Sequence, residues 1–245
     1  MDVPTFLEAL THDERDLVRR RSRIRTLARK EIVFFEGELR AHPSVILDGF
    51  IRLERTALDG TRAVLGLRGP GELIGEMPSL DGGRQPAEAN ALTGAEVLIV
   101  PTAVFEQVLA MNPTACASVA AGIAQQLRWS YEVCSDGING VAKARVAGRI
   151  LDVADVIGEV RNGAVEMSAP ISQADLAGMA GVCRESAARV IGDLRRDGAI
   201  AYAGRRLRIL RPDMLERIKC AGRDAGSSRS RRGAEPRRSR AARDA

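Results

Sequence analysis

The chain has 245 residues, which suits one large or two ordinary domains, and 45% of them are hydrophobic, enough for real cores. No apolar run approaches the roughly 18 to 20 residues of a membrane span, and Met1–Thr11 lacks a basic segment followed by an apolar stretch, so a cytoplasmic protein without membrane contact is expected. The formal net charge of +5 resides wholly beyond Gly222, where eight arginines face three acids.

The four cysteines (Cys116, Cys134, Cys183 and Cys220) form no C-x-x-C pair, and the histidines are His12 and His42 alone. This argues against a zinc site and for free thiols in a reducing compartment. No nucleophile–base cluster, P-loop or metal motif is visible, so an enzyme is not expected and no cofactor is required.

Thr5 to Lys30 is charged and periodic in Phe6, Leu7, Leu10, Leu17, Val18, Ile24 and Leu27, which predicts short helices, one of them capped by Asp13. From Glu31 to Pro101 the pattern changes to short strands: Ile32–Phe35, Val45–Leu47, Ile51–Leu53, Ala63–Leu67 and Val97–Val100. Between them lie the turn sequences Asp48-Gly49, Asp59-Gly60, Gly69-Pro70-Gly71 and Asp81-Gly82-Gly83, the spacing of a sandwich or barrel.

Val104 to Asp136 returns to helix, with Pro113 opening the long segment. Its small and apolar residues (Ala117, Ala120, Ala121, Ala124, Leu127, Tyr131, Cys134) fall at three/four spacing. A long amphipathic helix leaving a β domain is a candidate dimer seam. Gly137, Asn139 and Gly140 predict a helix break and a hinge. Val141–Val160 reads as a further helix and Val165–Ala169 as a strand.

Ile171–Ile191 is the most informative stretch. Leu176, Ala180, Val182, Ala187 and Val190 give an apolar face over two helices, with Gly181 at the turn, where positive φ is needed. The second helix opens on Arg184, Glu185 and Ser186, with Arg189 one turn on. An arginine donates twice to a guanine edge, and a glutamate accepts from a cytosine amino group. Ala199–Leu210 then alternates around Gly204, Arg205 and Arg206, a hairpin with a basic tip. The tail from Gly222 holds Gly, Ser, Arg and Pro without a large apolar residue, which predicts disorder and non-specific contact with phosphates.

The expected organisation is residues 1–112 as a β-rich sensor domain, 113–136 as a dimerisation helix, 137–145 as a hinge, 146–221 as a DNA-binding domain and 222–245 as a disordered basic tail. This order resembles the Crp/Fnr family of bacterial transcription regulators. The resemblance rests on Phe35-Glu36-Gly37-Glu38, on Gly71-Glu72-Leu73-Ile74-Gly75-Glu76-Met77 followed by Leu80-Asp81-Gly82-Gly83, on Val146-Ala147-Gly148-Arg149-Ile150, and most closely on Ile171–Ile200. It implies an α+β fold: an N-terminal cyclic-nucleotide-binding-type β-roll (a double-stranded β-helix), a long dimerisation helix and a C-terminal winged helix-turn-helix.

By the same resemblance the chain would bind double-stranded DNA as a homodimer at a palindromic TGTGA-like site, with RNA polymerase as a further partner. Arg184, Glu185 and Arg189 would read bases. Ser172 and Gln173, at a helix N-terminus, would take a phosphate. Ser186, Arg205 and Arg206 complete the expected DNA face.

Cyclic-nucleotide-binding members carry Gly-Glu and, about nine residues later, Arg-Ser or Arg-Thr, whose arginine pairs with the cyclic phosphate. Here Gly75 and Glu76 are present, but Gln85-Pro86 replaces Arg-Ser, and Arg84 stands one residue early. Cyclic AMP binding is therefore expected to be weak, altered or absent. Cys134 and Ser135 fall where members place polar groups near the ligand base. An alternative input is a thiol. Cys183, beside Arg184 at the expected N-cap of the recognition helix, and Cys134, near the seam, are the redox candidates. A non-specific chromosome-binding protein driven by the arginine tail is a lower alternative.

Overall fold

The computed structural model describes residues 4–39, 42–57, 62–139 and 141–232. The expected Asp59-Gly60 turn, Gly140 and residues 233–245 of the tail lie outside these.

Helix α1 (His12–Arg21) starts at Thr11 rather than Asp13. The Thr11 side chain accepts from the Glu14 N–H, and the Glu14 carboxylate accepts from the Thr11 N–H, so two otherwise orphaned donors are satisfied reciprocally. The next segment, expected to be helical, is strand β1 (Arg23–Leu27). Its Arg-Ile-Arg-Thr-Leu alternation suits a sheet edge, and antiparallel pairing with β8 (Ala95–Ile99) settles it.

Between these two strands come β2 (Ile32–Phe34), β3 (Ser44–Asp48), β4 (Ile51–Thr56), β5 (Arg62–Arg68), β6 (Leu73–Ile74), the short α2 (Met77–Asp81) and β7 (Glu88–Ala91). They form two antiparallel four-stranded sheets, β1-β8-β3-β6 and β2-β7-β4-β5. The sheets enclose an apolar core that includes Leu27, Phe34, Ile46, Ile51 and Val97. The strand β7 has no strand-like composition. Its small Ala89 and Ala91 are wholly buried between β2 and β4, where packing overrides propensity.

Helix α3 (Thr102–Met111) ends at Asn112, whose buried side chain accepts from the Ala115 N–H and donates to the Ala9 carbonyl and Glu14. There the 27-residue α4 (Pro113–Asn139) begins. It passes through Gly137, so the helix break expected there does not occur, and Val141 is the N-cap of the following α5 (Ala142–Ile157). A helical glycine costs only about 1 kcal/mol. The last turns of α4 are tied by Asp136 to Arg149 of α5, at 3.1 Å.

The remaining elements are β9 (Gly158–Arg161), β10 (Ala164–Met167), α6 (Gln173–Ala180), α7 (Arg184–Arg196), β11 (Ile200–Ala203), β12 (Arg206–Ile209) and α8 (Pro212–Arg232). Their sheet runs β11-β12-β10-β9. The helix predicted to reach Val160 stops at Ile157 because β9 pairs with β10. The segment from Gly222, read as disordered, is helical through Arg232. Helix α8 packs on α5, with Gly222 closely approaching Ala144.

The C-terminal core does not close on itself. It includes Val64, Leu67 and Leu92 from the roll. An added Cβ at Gly178 of α6 would stand 2.8 Å from the Arg62 carbonyl oxygen. An Arg52–Asp175 ion pair at 2.5 Å spans the same junction. Among the described residues no helix is long and apolar enough to cross a membrane.

Candidate nucleic-acid interface and effector pocket

The helix-turn-helix forms where the sequence places it. Ser172 caps α6: its hydroxyl accepts from the Asp175 N–H at 3.0 Å and donates to the Asp175 carboxylate at 2.7 Å. That hydroxyl is thus used internally. An incoming phosphate would meet the exposed Gln173 and the free N–H groups of the first turn. Gly181 ends α6 in the left-handed region at φ +58°.

Cys183 is the N-cap of α7, without a side-chain cap, and its Sγ donates to Ser186 Oγ at 3.1 Å. The α7 face holding Ala187, Val190, Ile191 and Leu194 is buried. Arg184, Glu185 and Arg189 are all exposed on the opposite face, and Ser186 is half-buried at its edge. The Glu185 carboxyl is held below the usual range, first of all by its own backbone N–H, so it stands as a charged acceptor. In the wing, β11 and β12 pair from Ala203↔Arg206, with Gly204 at φ +60°. Arg205 and Arg206 are exposed at its tip.

The effector positions do not converge in the same way. Gly75 is left-handed at φ +74° and closely packed, and an added Cβ would meet Phe34 at 2.9 Å. Gln85 is buried, and its Nε2 donates to the Gly75 carbonyl at 3.0 Å, closing the segment on itself. Arg84 turns outward and donates to the Gly37 carbonyl at 2.9 Å. Ser135 and Cys134 are exposed on α4 and do not line the cavity.

Of the five expected ligand residues, Glu76 alone lines the cavity of about 830 Å³ enclosed by β5, β6, α4 and α5. Burial pushes the carboxyl of Glu76 up, against the nearby charge of Arg68. The cavity cations are Arg68, 3.5 Å from Glu72, and Arg128. These residues do not fit a cyclic phosphate in the family's manner: the loop that should aim an arginine inward presents an amide already satisfied by backbone.

Sequence reasoning missed Arg68, Arg128 and Asp155 of this cavity, and the Arg52–Asp175 pair. All are brought together across domains, and no local pattern marks them.

A β-roll joined by a long helix to a winged helix-turn-helix is the build of a DNA-binding transcription regulator. Residues 24–112 match the cyclic nucleotide-binding domain model and 144–218 the Crp-like helix-turn-helix domain model. The cyclic AMP receptor protein of Thermus thermophilus is 30% identical over 187 residues, 76% of this chain and 83% of that protein. The CRP-like cAMP-activated global transcriptional regulator of Mycobacterium tuberculosis is 25% identical over 77% of this chain and 84% of its own length. The crystal structure of a CRP-family transcriptional regulator from T. thermophilus superposes with a TM-score of 0.67 at 29% identity, covering 82% of this chain and 99% of that one. The chain belongs to the Crp/Fnr family of transcription regulators.

Proposed function

We propose that the protein is a homodimeric regulator reading a palindromic TGTGA-like site, with cyclic-nucleotide control weak, altered or absent. One observation carries the DNA reading: Arg184, Glu185 and Arg189 share the exposed face of a helix whose opposite face is locked into the core. Arg184 and Arg189 take guanines, and Glu185 accepts from cytosine. Ser172 and Gln173 set the register on a phosphate, with the wing arginines Arg205 and Arg206 on the backbone. Dimerisation is supported by Leu127 and Tyr131 of α4, which are 49% and 66% exposed on the expected seam. The altered nucleotide response is supported by Gln85 bonded to Gly75 and Arg84 turned to Gly37.

The test is the affinity for a TGTGA–TCACA duplex against scrambled DNA, with and without millimolar cyclic AMP. Specific binding that ignores the nucleotide is expected. Marked tightening by cyclic AMP overturns the pocket reading, and equal binding to scrambled DNA overturns the base-reading assignment. Arg184→Ala should lose about 1–3 kcal/mol of discrimination at one base pair of each half-site.

A further inference from the structure

The exposed face of α7 does not end with its base-reading residues. Arg195 and Arg196 follow Arg184 and Glu185 by eleven residues, three helical turns, and so return to the same side. Both are exposed. Between the two basic ends lies Gly192, where an added Cβ would meet nothing within 4 Å. Beside it the wing contributes Tyr202, whose ring lies 5.6 Å beneath the Arg195 guanidinium carbon. The Tyr202 hydroxyl has no hydrogen-bond partner among the described residues. Together Gly192, Arg195, Arg196, Ile200, Ala201 and Tyr202 line a depression of about 430 Å³, and none of them is acidic. Asp193, outside the depression, pairs with Arg196 at 3.1 Å and offsets part of its charge.

We infer that this depression is a second DNA contact, a seat for backbone phosphate flanking the half-site. The inference rests on the proposed entry of α7 into the major groove. Eleven residues of helix span about 16 Å, whereas the groove is about 12 Å wide. A helix that reads bases with its first turn carries its last turn out to the groove wall, where phosphates stand. Gly192 leaves room for the strand to approach the helix backbone. Arg195, held by the tyrosine ring, and Arg196 then supply charge-assisted donors. Such contacts add affinity without sequence preference.

The experiment uses the full chain and two TGTGA–TCACA duplexes, one ending at the half-sites and one extended by about six base pairs on each side. Affinities are measured over a salt series. Wild type should bind the extended duplex more tightly and with a steeper salt slope. In Arg195→Gln/Arg196→Gln the slope on that duplex should fall by about one for each phosphate that is no longer neutralised, roughly three- to fourfold in affinity between 50 and 200 mM salt. Base preference and binding to the short duplex should not change. A variant matching wild type on both duplexes overturns the inference, and so does an equal loss on both. Tyr202→Phe, a milder change, should keep the slope, because the phosphate charge is met by the arginines. Inorganic phosphate at constant ionic strength separates a free-anion site from a DNA contact: binding of phosphate that leaves the extended-duplex advantage intact also overturns it. Failure of the underlying reading looks different, because wild type then shows no preference for the TGTGA–TCACA duplex over scrambled DNA.

Discussion

Replacing Arg149 by Met tests how α4 and α5 are held together. The Arg149 side chain is 2% exposed, with its Nη2 3.1 Å from Asp136 and its Nε 3.1 Å from Asp152. Its guanidinium carbon also lies 5.5 Å from the centre of the Trp129 ring. Methionine restores most of the stem packing and removes the charge, leaving both carboxylates largely buried without it. Breaking a buried pair from one side costs about 3–5 kcal/mol. The lower end applies here, because Asp152 keeps Trp129 Nε1 at 3.2 Å and Lys219 at 3.7 Å. About 3 kcal/mol lowers the melting temperature of a chain of this size by roughly 6–12 °C. Thermal unfolding followed by circular dichroism reads this directly. The triple variant Arg149→Met/Asp136→Asn/Asp152→Asn, which removes the two buried carboxylate charges as well, should recover most of the loss. If Arg149→Met melts within about 1 °C of wild type, removing one partner leaves no costly buried charge and the reasoning fails.

Three further outcomes are expected. Burial raises the Glu76 carboxyl above the ordinary 4.5, so its ionisation opposes folding at neutral pH, and the penalty lifts as pH falls through the raised value. Glu76→Gln should therefore melt above wild type near pH 8, with the gap closing towards about pH 4.5; a gap that stays constant over that range contradicts the burial argument. Gly178→Val should push α6 off the roll, because its Cβ would meet the Arg62 carbonyl at 2.8 Å. The cost is about 1–3 kcal/mol, with faster hydrogen exchange in β5 and α6, and unchanged exchange would mean that the junction is loose. Tyr131→Glu places a charge on the proposed α4 seam and should shift the sedimentation coefficient to that of a monomer, whereas an unchanged dimer would move the seam elsewhere.

Local chemistry made the DNA-binding half legible. A helix-turn-helix is written in consecutive residues, and the Ser172 cap, the left-handed Gly181 and the exposed Arg184–Arg189 arc all follow from them. The sensor half was legible only as strand-like segments. The strand Arg23–Leu27 was hidden because its partner, Ala95–Ile99, lies far along the chain. The segment Glu88–Ala91 was hidden because small buried residues carry no strand signature. At the effector site the sequence exposed the departure at Gln85 but not its consequence. Whether Arg84 turned inward depended on a hydrogen bond to Gly37, 47 residues away. Gly137 did not break the helix, because a single helical glycine costs only about 1 kcal/mol, and α4 continues through it.

The shared core at the domain junction limits how this protein can be rebuilt. Val64, Leu67 and Leu92 belong to the roll by sequence and to the DNA-binding domain by packing. A chimaera that grafts a foreign winged helix after α4 would leave those side chains in water, and the excised C-terminal half would expose the surface they cover. At about 25 cal/mol per Å² of apolar area, even a modest patch is a large share of a marginal stability. Exchange of reading heads between such regulators would then have to carry the matching β5 face with it.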